Sequence, residues 1–155
     1  MGARITSPAS ILAVIPAITG TEPAGTLVIL GTTGTEPRAV ITIDLDLIPL
    51  MASRTREALT ASGATTAVIT AYAPETAATP AVAAIRGYLD GAGIPVLEAL
   101  RAEAGRYWSY VCTEPECCPP QGTPYDPGGH PAAVTASRDG ITVTTITTGT
   151  AASRG

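Results

Sequence analysis

The sequence predicts a single α/β domain, a mixed β-sheet flanked by two or three helices, with a long Cys/Pro-rich loop. Three observations carry that expectation. Short runs rich in Val, Ile and Thr alternate along the chain with segments of helical periodicity. The length, 155 residues at 45% hydrophobic content, suits one core rather than two. One stretch, Thr113 to Pro131, holds six prolines and three glycines and almost no apolar side chains, which is loop composition.

Taken in order, Ser7-Pro8 offers an N-cap and a proline at the first helical position, so a short apolar helix is expected up to Gly20, weakened at Pro16. Thr26–Leu30 and Ala39–Leu45, separated by the turn-rich Thr32 to Pro37, read as a β-hairpin. Helical spacing from about Pro49 to Ser62 ends at Gly63, and Ala67–Tyr72 reads as a third strand. Thr79-Pro80 repeats the cap-then-proline signal, with Val82, Ile85 and Leu89 forming an apolar stripe before Gly91. Pro95–Arg101 and, beyond a turn at Gly105, Arg106–Cys112 read as strands, and strand-helix alternation implies crossovers of right-handed sense. The natural division is an α/β domain over 1–131 that includes the loop 113–131, followed by a Thr-rich strand or tail over 132–155 in which Ile141–Thr147 alternates.

Charged residues make up 14% of the chain against about 25% in ordinary domains, which favours self-association or a protein partner. Net charge is -4, and the nine basic residues, all arginine, are scattered. Nothing lines them up along a phosphate backbone, so nucleic acid is not an expected partner. The absence of Lys, Asn and Phe reflects a GC-rich genome and says nothing of mechanism. Pro16 interrupts the apolar run Ile11–Ile15, so a core helix is expected there and not a secretory signal. No run approaches the roughly twenty apolar residues of a membrane span, and the myristoylation-like Met1 to Thr6 is read as coincidence. A cytoplasmic protein is expected.

Cys112, Cys117, Cys118 and the single histidine, His130, supply four metal donors within nineteen residues, the donor set of a structural zinc site. Their spacing is not that of a zinc knuckle, and adjacent cysteines on an extended backbone point to opposite sides. Three other readings stay open: buried thiols acting as small hydrophobes, a disulfide from Cys112 to Cys117 or Cys118, and a thiol activated by His130. Gly31 to Thr35 follows a strand as a phosphate loop does, yet it lacks the Lys and the following helix, and a hairpin turn is the better reading. Asp44 and Asp46 lie two apart, where one strand face can present both carboxylates to a cation or a proton. Arg106, Tyr107, Trp108 and Tyr110 concentrate the aromatic residues in one strand, Trp108 and Tyr110 on one face and Tyr107 on the other. They make either a core strand or a recognition surface.

The stretch Gly105 to Tyr125, GRYWSYVCTEPECCPPQGTPY, closely resembles the signature of an actinobacterial family known as domain of unknown function 4192. Weaker similarity reaches upstream to Ile11–Gly20 and to Asp44-Leu45, although Asp46-Leu47-Ile48-Pro49 displaces the proline that the family's strand end carries. The resemblance runs to about Tyr125. It implies an intracellular α/β domain and no known reaction. With no convincing catalytic constellation, the expected function is a non-enzymatic interaction or assembly module. The alternatives are a small-ligand or nucleotide-binding enzyme or sensor, using a strand-end crevice near Gly31–Thr35 and Asp44, and a structural zinc domain.

Overall fold

A computed structural model describes residues 5, 7–112, 114, 116, 118–132 and 140–146. They form a mixed seven-stranded sheet with three α-helices, as expected from the sequence. Helix α1 (Pro8–Thr19) is opened by a capping box, in which the Ser7 hydroxyl accepts from the Ser10 N–H at 3.2 Å and the Ser10 hydroxyl accepts from the Ser7 N–H at 3.0 Å. Pro16 lies inside it without ending it. Strands β1 (Thr26–Thr33) and β2 (Glu36–Asp44) form the expected hairpin, with Thr26 opposite Asp44 and Thr33 opposite Glu36.

A 3-10 turn over Leu45–Leu47 then leads into α2 (Ile48–Ser62), β3 (Thr66–Tyr72), α3 (Glu75–Gly91), β4 (Val96–Glu103) and β5 (Arg106–Ser109). The two-residue β6 (Thr123–Pro124) and β7 (Thr142–Ile146) complete the sheet. Strand order is β6-β5-β4-β3-β1-β2-β7. Strand β1 is antiparallel to both neighbours, whereas β3 pairs with β4, and β2 with β7, in parallel. The carboxyl ends of β2, β3, β4 and β7 therefore share one edge of the sheet.

Each face of the sheet buries its own core. Leu27, Ile29, Ile41 and Ile69 pack under α2 and α3, while Val28, Leu30, Val40 and Val68 pack under α1. A strand covered on both sides must be apolar at consecutive positions, which explains Leu27–Leu30. Helix α1 is itself buried from Ser10 to Ile15, because the 3-10 turn Pro127–Gly129, Tyr125 and Ala132 lie across the same layer. Gly31 marks the closest approach of α2: a Cβ there would stand 2.9 Å from Ala64 Cβ and 2.5 Å from Leu59 Cδ2.

Two boundaries differ from the sequence reading. Helix α3 starts at Glu75, a full turn before Thr79-Pro80, and Pro80 sits inside it. The buried stripe begins at Ala78, so packing holds the first turn, and exposed Pro80 costs the helix only a hydrogen bond on its solvent side. Strand β5 stops at Ser109, not Cys112, because the Ser109 hydroxyl accepts from the backbone N–H groups of both Val111 and Cys112, at 3.1 and 3.0 Å, and turns the chain away. The Thr-rich stretch adds β7 to the same sheet through its pairing with β2.

Candidate functional site

The Cys/Pro-rich segment folds back over β5. β6 pairs with β5, Tyr107 opposite Thr123, and the indole Nε1–H of Trp108 donates to the Pro120 carbonyl at 2.9 Å. Gly122 sits directly against the indole: a Cβ there would lie 2.7 Å from Trp108 Cε2 and Cζ2. Cys112 and Cys118 are joined as a disulfide with Cα atoms 6.3 Å apart, within the ordinary range for such bridges. Between bridge, indole and Pro119-Pro120 lies a small crevice of about 100 Å³.

Behind Trp108 stands a residue that the sequence reading missed. Arg101 is 7% exposed on β4, directly opposite Trp108, with its guanidinium carbon 3.8 Å from the ring centroid. Its Nη1 donates to Glu103 at 2.7 Å and to the Ala73 carbonyl at 3.4 Å. A buried charge requires such partners. The available signal was an arginine set between the apolar Leu100 and Ala102.

The aromatic cluster divides between the faces as expected, and each ring has an internal role. Tyr110 packs against the α2/α3 core and its hydroxyl shares a 2.7 Å bond with Thr79. Tyr107 packs on the α1 side, 6.2 Å from Tyr125 in an edge-to-face arrangement, and Arg106 donates to the Gly122 carbonyl at 3.1 Å. The Tyr125 hydroxyl donates to Glu22 at 2.6 Å; burial first, and that bond second, push its pKa far above the ordinary tyrosine value. Burial also raises Tyr72, 5% exposed on β3, whose hydroxyl finds no partner among the described residues, and the hydroxyls of Thr26 and Thr70 on the same sheet face are likewise unmatched among them.

The remaining candidates are dispersed. Asp44 ends β2 and the exposed Asp46 falls in the following 3-10 turn, so the two do not share a strand face: the turn has already rotated the backbone. Gly31–Thr35 is the hairpin end of β1, where Thr32 bonds Thr66 at 2.6 Å and Thr33 donates to the Gly63 carbonyl. Because Thr26 opposes Asp44, seven residue steps separate that turn from Asp44, roughly 23 Å at strand rise. The expected crevice joining them is therefore absent, since they occupy opposite ends of one hairpin. His130 Nδ1 accepts from the Ala132 N–H at 3.0 Å. Cys117 lies outside the described residues. Among the described residues no group of three or more His, Cys, Asp or Glu is placed to hold a metal ion. No helix among them is long and apolar enough to cross a membrane.

A family model described as domain of unknown function, DUF4192, matches residues 8–147 and so takes in β7 as well as the Cys/Pro-rich segment. The chain belongs to the DUF4192 family. The match carries the likeness well past Tyr125, where the sequence reading stopped. No curated protein and no solved structure matches this DUF4192 domain.

Proposed function

We propose that this DUF4192 domain is a non-enzymatic assembly module that works in the cytoplasm and pairs with a second copy of itself along β7. One observation carries the reading. Strand β7 is five residues long without a charge or a proline, and among the described residues only β2 pairs with it. Open edges present unpaired N–H and C=O groups, and monomers blunt them with charge, proline or short strands. The opposite edge is blunted in this way, by the two-residue β6 with Pro124. Two β7 strands related by a two-fold axis would pair antiparallel and close both exposed edges at once. The low charged fraction supports the same reading.

Light scattering coupled to gel filtration tests it: a dimer mass is expected. Proline placed in turn at Val143 and Thr144 should give a folded monomer at the position whose N–H points outward. A strict monomer at high concentration overturns the proposal.

A further inference from the structure

Beside α1, at the sheet edge where the parallel strands end, lies an open groove of about 330 Å³. Five of its lining residues are threonines: Thr19 and Thr21 from the end of α1 and the following loop, Thr26 on β1, Thr42 on β2 and Thr145 on β7, with Val143 beside them. Register explains the gathering. Thr42 pairs directly with Thr145, and Thr26 stands one inward-facing position further along β1 from Val28, the partner of Thr42. These positions share the α1 face with Val28 and Val40, where a core would call for Val or Leu. The Thr26 hydroxyl is buried and, among the described residues, has no hydrogen-bond partner, an arrangement that costs stability.

We infer that this groove binds a small, uncharged polyhydroxyl ligand, such as a sugar ring presenting vicinal hydroxyls. A threonine hydroxyl both donates and accepts, which matches ligand groups that do the same. Thr19 is already committed as a donor, its Oγ1 lying 2.9 Å from the Ile15 carbonyl and 2.7 Å from that of Thr21, so it meets the ligand as an acceptor. The threonine methyls and Val143 suit the C–H face of a ring. An anion is disfavoured, because no described lining residue is basic and register sets the Asp44 carboxylate opposite Thr26. An apolar guest would strand the hydroxyls. The volume lies at the small end of ligand clefts, which start at about 300 Å³.

The groove uses side chains of β7 and edge pairing uses its backbone, so the two proposals fail separately. The test is thermal unfolding and saturation-transfer NMR of the whole chain with D-glucose, D-ribose and myo-inositol, against glucose 6-phosphate and cyclohexanol. At ten times its Kd, at least one neutral polyol should raise Tm by about 4 °C, with transfer to its ring protons. The isosteric Thr42→Val should weaken that binding about fivefold. Thr145→Val, at an exposed position, should do the same should Thr42→Val fail to fold. No shift and no transfer with any polyol, equal binding of the phosphate or cyclohexanol, or undiminished binding by the folded variants overturns the inference.

Discussion

Gly122→Ala probes the contact that holds the Cys/Pro-rich segment on the sheet. Gly122 has φ +88°, in the left-handed region, where a Cβ costs about 1–2 kcal/mol. That Cβ would also stand 2.7 Å from two indole carbons of Trp108, against a normal contact of about 3.5–4.0 Å, so the ring must retreat by about 1 Å. The retreat loosens the 2.9 Å bond to Pro120, worth about 1 kcal/mol, and the stacking on buried Arg101, worth about 0.5–2 kcal/mol. Together these give about 3–4 kcal/mol, or roughly a 10 °C fall in Tm for a chain of this length. Gly105→Ala is the control. Its φ is +78° with nothing within 4 Å of an added Cβ, so only the backbone term of about 1–2 kcal/mol, roughly 4 °C, applies. Thermal unfolding measures both, and the single tryptophan reports the local change as red-shifted emission in Gly122→Ala alone. Equal Tm losses with unchanged emission would show that Gly122 is only a turn residue and that the segment does not rest on the indole.

Reducing the Cys112–Cys118 bridge, which spans six residue steps, should remove about 2.4 kcal/mol by the chain-entropy relation. Calorimetry should then show Tm roughly 5–9 °C lower with dithiothreitol, and no response in Cys118→Ser. Tyr72→Phe deletes a buried hydroxyl that has no partner among the described residues, and urea unfolding should show a gain of about 1 kcal/mol rather than a loss. Tyr72 and Tyr125 stay neutral in the fold beyond the pH at which the unfolded chain ionises, so stability is full below about pH 10 and falls above it. The fall should be shallower in Tyr72→Phe, which removes the more deeply buried of the two groups, followed by tyrosinate absorbance during unfolding. Gly31→Ala overfills the seat of α2 and should cost about 1–3 kcal/mol, less than additively with Leu59→Ala, in a double-mutant cycle.

Much of the architecture was legible because single segments carry it. The hairpin, β3, α2 and the end of α3 rest on local periodicity and on glycine stops, which act over a few residues. Pro80 misled because its effect depends on which helix face meets the sheet, and that is settled by β3 and β4 rather than by the residues around it. The site was less legible for a similar reason. Cys112, Trp108 and Tyr110 were recognisable as a cluster, but Arg101 reaches Trp108 only through β4–β5 register, and Tyr125 reaches Glu22 across 103 residues. The threonine groove draws on α1, β1, β2 and β7, and each threonine alone is an ordinary strand or loop residue.

Helix α1 has a consequence for how the chain is made. Its apolar surface faces the sheet on one side and residues 125–132 on the other, and the latter are synthesised about a hundred residues later. At ribosomal speeds of about 5–20 residues per second, that side waits roughly 5 to 20 s for its cover. During the interval the nascent segment carrying Ile11, Val14, Ile15 and Ile18 lacks part of the cover it has in the fold, so a product truncated before residue 125 should expose apolar surface and aggregate more readily than the whole chain.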